Sequence, residues 1–143
     1  MANVRPPPND ERIAGRDGKA TLSYIEFFEN LFRGDVGTAW TPAFTDLTIT
    51  GTPTITGRVY KLSQKLAYFA VTITPATDTS SVAGTTYINN FPLTLSADGA
   101  CLAVSGLAGT AAGHCVAANN RIYTPAWTSV TVALTVVGLV EAR

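Results

Sequence analysis

The sequence predicts a mainly β protein: an antiparallel, jelly-roll-like β-sandwich with an extended N-terminal arm and one short N-terminal helix. Three observations predict it. From Trp40 onward apolar residues recur with period two, as on a half-buried strand. Turn residues punctuate that pattern at spacings of about 8 to 12 residues, which gives about seven to nine short strands. Threonine is abundant throughout, and its β-branched side chain suits a half-buried strand face. A sandwich is preferred to an open barrel because no strand pair is long enough for a large barrel.

The N-terminal elements come first. Residues 1–20 read as an extended arm: Pro6, Pro7 and Pro8 impose polyproline geometry and remove three backbone donors, and Gly15 and Gly18 loosen the chain after them. Residues 21–36 hold a short helix and a linker. Ser23 with Glu26 makes a capping box, Gly34 stops the helix, and Arg33 sits favourably at its negative end. Leu22, Ile25, Phe28 and Phe32 fall on one face, while Tyr24, Phe27 and Leu31 make a second apolar ridge. A helix apolar on two sides needs cover on both, from a sheet on one and from copies of itself or its own sandwich on the other.

Residues 37–143 form the β domain. Phe44, Leu47 and Ile49 predict a first strand, with a turn at 51–53. Ile55 to Leu62 predicts a second strand, and Leu66 to Thr74 a central one ended by Pro75. Residues 76–84 read as a polar loop. Residues 86–95 give another strand or two, Asp98-Gly99 a hairpin turn, Cys101 to Val104 a strand, and 106–113 a small-residue loop. Pairing resumes at Cys115 and turns at Asn119-Asn120. Residues 130–140 form the last strand, with Gly138 as a bulge candidate. TAWTPAF and RIYTPAW echo one another, and each couples a tryptophan to a Thr-Pro. Pro fixes its own φ and restricts its predecessor, so Trp40 and Trp127 are expected at two rigid corners packed near each other at one end of the sandwich.

Composition bounds the function. Hydrophobic residues make up 46% of the chain and charged residues 14%, which indicates a folded chain with a charge-poor surface. Residues 36–143 carry nine charges, so Thr, Ser and Asn must keep the surface soluble, or part of it must be buried against other copies. No basic stripe exists, so no nucleic-acid partner is expected. No apolar run reaches the roughly 20 residues of a membrane helix, so no membrane insertion is expected; nor is a secretory signal seen.

The chemistry-bearing residues are sparse. His114 is the single histidine, with no G-x-S-x-G elbow anywhere, and is expected as a loop or strand-edge residue without a partner. On a strand it would face away from Cys115. Cys101, His114 and Cys115 lack the spacing of a zinc site, and no convincing carboxylate pair stands out among Asp46, Asp78, Asp98 and Glu141. No catalytic residue, metal or cofactor is expected. Whether Cys101 and Cys115 are bridged stays open. Among the aromatics, which can stack on sugars, Tyr87 and Tyr123 are the candidates for surface contact.

The segments GTAWTPAF, GTPTITGRVYKL, LAYFAVTITP, AGTTYINNFP, ADGACLAV and RIYTPAW resemble the C-terminal β-sandwich modules of tail-fibre and other virion proteins of tailed bacteriophages. GKATLSYIEFFENLFRG is similar to the short helix that precedes such modules. The resemblance covers residues 18–143. It implies a homotrimer, with Leu22, Ile25, Phe28, Leu31 and Phe32 as the assembly helix. It also implies incorporation into the virion after synthesis in the host cytoplasm. The arm (Arg5, Pro6, Pro7, Pro8 and Ile13) would then dock on another phage structural protein of tail or capsid. The expected function is a non-enzymatic short fibre or spike that adheres to a host surface glycan. The alternative is a capsid-decorating (cement or head-fibre) protein without a receptor, since no long shaft is seen.

Overall fold

Period-two burial runs through the longest strands of the computed structural model, which describes residues 37–105, 111–129 and 132–143. The arm and the helix, with their Arg5, Pro6–Pro8, Ile13, Leu22, Ile25, Phe28, Leu31 and Phe32, lie outside the described residues. The strands are β1 (Thr38–Trp40), β2 (Phe44–Thr45), β3 (Thr48–Thr50), β4 (Thr54–Lys61), β5 (Leu66–Thr74) and β6 (Asp78–Ser81). They continue as β7 (Tyr87–Ile88), β8 (Gly99–Ser105), β9 (Ala111–Val116), β10 (Arg121–Tyr123), β11 (Trp127–Ser129) and β12 (Leu134–Glu141). Every pairing is antiparallel. The mainly β, sandwich-like architecture expected from the sequence is present.

Nine strands form one sheet in the order β1-β4-β5-β12-β8-β9-β10-β7-β2, and β11-β6-β3 form a second. The end strands β1 and β2 are joined by residues 41–43 alone, so the large sheet curls until its edges lie within roughly 14 Å. Asn90 clamps that joint. Its Oδ1 accepts from Ala43 N–H at 2.7 Å and its Nδ2 donates to Thr41 O at 2.8 Å. The curl encloses one core of Val59, Phe69, Val71, Ile73, Ile88, Ile122, Val136 and Val140, with Phe91 and Leu95 from irregular chain. On β5 the inward set is Ala67, Phe69, Val71 and Ile73, and all four are buried.

Four local expectations are corrected. The strand expected through Phe44, Leu47 and Ile49 is broken at Asp46, whose φ is 57°; aspartate tolerates the left-handed region, and the break sends β2 and β3 into different sheets. The polar loop at 76–84 contains β6, with Thr79 and Ser81 buried. Hydroxyls replace apolar side chains there. Ser81 Oγ donates to Pro125 O at 2.8 Å and lies 2.9 Å from Thr124 Oγ1, while Thr124 N–H donates to Thr86 O at 3.0 Å. Asp98-Gly99 is no hairpin turn: β8 starts at Gly99, and Asp98 Oδ1 instead accepts from Ala117 N–H at 2.8 Å. Gly138 is no bulge, because it stays in register with Phe69 on β5 and Cys101 on β8. The Asn119-Asn120 turn is present, with Asn120 left-handed at φ 55°.

The Thr-Pro echoes sit at strand exits, with Pro42 and Pro125 buried. Their tryptophans have different neighbours. Trp40 packs edge-on to Phe91 at 5.8 Å, whereas Trp127 lies on β11 beside β6. Both indoles pack against the core cluster.

Candidate functional site

The turn at Asn119-Asn120 folds β9 and β10 into a hairpin whose register places His114 opposite Tyr123. β10 then pairs with β7, placing Tyr123 opposite Tyr87. Alternation buries Cys115, Ile122 and Ile88 and turns His114, Tyr123, Arg121 and Tyr87 outward. The site is therefore a cross-strand row on the outer face of three adjacent strands.

The row is tightly organised. The His114 imidazole stacks on the Tyr123 ring at 4.9 Å between centroids and 9° between planes. Tyr123 and Tyr87 lie 5.3 Å apart, tilted by 47°. The Arg121 guanidinium sits 4.2 Å above the Tyr87 ring, a cation–π contact. Arg121 NH1 donates to the Tyr123 hydroxyl at 3.4 Å, and Asn119 Nδ2 donates to the same oxygen at 3.3 Å. Neither of these two tyrosine contacts is an ion pair, so the Arg121 charge rests against a π face and a phenol at the surface.

This arrangement sets the acidity of Tyr123. The hydrogen bond from Arg121, helped by Asn119 and by the Arg121 charge, favours the phenolate and lowers its pKa below the ordinary tyrosine value. A folded-state pKa that is depressed stabilises the fold only in alkaline solution. The contribution is complete above the unfolded tyrosine pKa and is lost as pH falls through the lowered folded value. A tyrosinate absorbance titration is expected to begin at lower pH in the unaltered chain than in Arg121→Gln. An unchanged titration in that variant would show that Arg121 does not act on Tyr123.

Tyr87 and Tyr123, the two surface aromatics singled out from sequence, are thus brought together. His114, expected without a partner, belongs to the same row, and Arg121 was not singled out. Strand parity and the Asn-Asn turn carry the signal for His114, since a short hairpin centred on 119–120 sets 114 against 123. Nothing local marks Arg121. Tyr60 and Tyr68 form a separate tilted pair at 5.9 Å on β4 and β5. An open groove of about 620 Å³ is lined by Tyr60 with Trp40, Arg58, Thr56 and Thr72 among others.

The cysteines are free and buried. They face inward on adjacent strands but are offset diagonally, Cys101 opposite Gly113 and Cys115 opposite Gly99. The Cys101 thiol donates to Tyr123 O at 3.5 Å. The hydrogen bond between Cys115 and Cys101, together with burial, pushes the Cys115 thiol up, so it stays protonated and inert. Among the described residues no three of His, Cys, Asp and Glu gather as a metal-ligand set. Comparison of the chain with protein-family models, with curated proteins and with solved structures finds no match.

Proposed function

We propose that the chain is a non-enzymatic phage virion protein, a short trimeric spike whose β-sandwich contacts a host surface glycan and whose N-terminal arm joins it to a tail or capsid component. The observation that carries the adhesive reading is the outward row of His114, Tyr123, Tyr87 and Arg121. It offers an apolar aromatic surface beside clustered donors, the mixture with which a protein surface recognises a sugar ring and its hydroxyls. The resemblance of the strand and turn segments to virion β-sandwich modules supplies the setting. Each such site would bind weakly, and three on one particle would act together.

The test is adhesion of the full chain to intact host cells and to arrays of their surface glycans. Tyr87→Ala combined with Arg121→Gln is expected to reduce adhesion about 100-fold, because avidity multiplies a modest loss at each site. Native-like circular dichroism would confirm that the variant is folded. Adhesion that survives in the folded variant removes the row from the site. A chain that joins particles and binds no host surface is a capsid-decorating protein instead.

A further inference from the structure

The four neighbouring strands β2, β7, β10 and β9 hold one residue between them that is lysine, arginine, aspartate or glutamate, and it is Arg121. Arg121 is not idle. Its guanidinium lies over the Tyr87 ring, and NH1 donates to the Tyr123 hydroxyl at 3.4 Å. Neither partner is a carboxylate, so these contacts hold the guanidinium in place without cancelling its charge. Tyr123 and Tyr87 are the groups that act on that charge, and no acid is among them. Asp98, just ahead of β8, is engaged elsewhere: its Oδ1 accepts from Ala117 N–H at 2.8 Å. A guanidinium carries five N–H donors in a planar fork that matches an oxyanion, and one of the five is committed to Tyr123.

The rim around Arg121 is polar and neutral. Thr45 on β2 stands opposite Tyr87. Asn89 follows β7 on the same parity as Tyr87, and its Nδ2 donates to Thr45 Oγ1 at 3.1 Å. Asn119 Nδ2 donates to the Tyr123 hydroxyl. Each of these two amides spends an N–H within the row, and neither carbonyl oxygen makes a bond among the described residues. Amide oxygens and hydroxyls of this kind meet the hydroxyls of a sugar. A single cation is too little for a polyanion such as a nucleic acid, which is held by many phosphate contacts. It is enough for one acidic group on a ring that carries hydroxyls.

We propose that the row selects an acidic sugar, whose carboxylate or phosphate accepts from the Arg121 guanidinium while its hydroxyls meet Asn119, Asn89 and Thr45. The proposal rests on the adhesive reading of the row and names the chemistry of its ligand.

NMR titration of the isotope-labelled full chain with glucuronate, glucose-6-phosphate and glucose tests it, since the three share one ring. At least one of the acidic sugars is expected to bind roughly fivefold tighter than glucose, the upper end for an exposed charge pair. The tighter of the two acids tells a carboxylate ligand from a phosphate one. Sodium chloride at about 0.5 M should erase the preference by screening. Arg121→Gln should bind all three sugars alike. Arg121→Lys should keep part of the preference, because it keeps the charge and loses the planar fork. A preference that survives Arg121→Gln in folded protein overturns the proposal. Equal binding of the three by the unaltered chain overturns it too, and needs no variant to fold. So does binding of none up to about 50 mM, beyond the effective concentration that linked sites supply. Adhesion of the full chain to host cells separates this failure from that of the adhesive reading. Adhesion that Tyr87→Ala weakens, but that salt and Arg121→Gln leave alone, keeps a sugar site and makes its ligand neutral. A chain that neither adheres nor binds any of the three loses both.

Discussion

Gly113→Ala is expected to destabilise the protein by about 3 kcal/mol, the upper end of what overpacking costs in a closed core. Gly113 lies on β9, opposite Cys101 on β8. A methyl group added there would overlap the backbone oxygen of Tyr123 and come within 2.8 Å of Cys101 Sγ and 2.9 Å of Pro125 Cδ. None of the three can yield cheaply. The Tyr123 oxygen accepts from the Cys101 thiol, and Cys101 and Pro125 are both less than 2% exposed. The strain therefore falls on the β9–β10 hairpin, which also carries His114 and Tyr123, so the stacking of those two rings should loosen together with stability. The comparison is Gly99→Ala on β8, where the nearest neighbours of an added methyl stand at an ordinary 3.9 Å; its urea midpoint should stay near that of the unaltered chain. A Gly113→Ala midpoint equal to that of Gly99→Ala would mean that β9 and β10 are less closely packed than these distances imply.

How much of the fold was legible in the sequence depends on which residues fill the interior. Where the buried set is apolar and alternates, the strands were recognisable. Leu66–Thr74 is a central strand with those bounds, and it stood out because Phe69, Val71 and Ile73 alternate with Tyr68, Ala70 and Thr72. Where hydroxyls are buried, the strand was hidden. Thr79 and Ser81 look like loop residues, yet both are buried on β6, and Thr124 and the Pro125 carbonyl lie close by to satisfy Ser81. Those partners sit more than forty residues away, and no local pattern shows them. The asparagines were legible only in part. The sequence 86–95 reads as strand broken at Asn89-Asn90, and β7 does end at Ile88; what the sequence does not show is that Asn90 holds the two edges of the large sheet together through the 41–43 joint. The aromatic row was half legible. Tyr87 and Tyr123 stood out by type, whereas their meeting with His114 and Arg121 comes from the β7-β10-β9 order, which is a property of the sheet.

Phe69→Ala is expected to cost about 4 kcal/mol, within the range for emptying a buried phenylalanine site. Phe69 is 0% exposed at the middle of β5. Its ring meets Phe91 edge-on at 5.5 Å, and Phe91 in turn meets Trp40 at 5.8 Å. The three rings form a chain across the interior that links the central strand to the β1 edge, and Phe91 comes from irregular backbone next to Asn90. Gly138 shows why the cavity would not close. An added methyl at 138 would stand 2.5 and 2.7 Å from two Phe69 ring atoms, so β12 has given up a side chain to admit the ring. Neither strand can collapse into the space, because both are fixed by continuous pairing on either side. Gly138→Ala should therefore cost about 2 kcal/mol in the unaltered protein by overpacking. In a Phe69→Leu background, where the clashing ring edge is gone, it should cost distinctly less. The expected coupling is about 1 kcal/mol between two residues in direct contact. Urea titrations of the two single variants and the double variant measure it. Strict additivity would show that Phe69 does not pack on Gly138 in solution and would remove the reason for a glycine in the middle of the last strand.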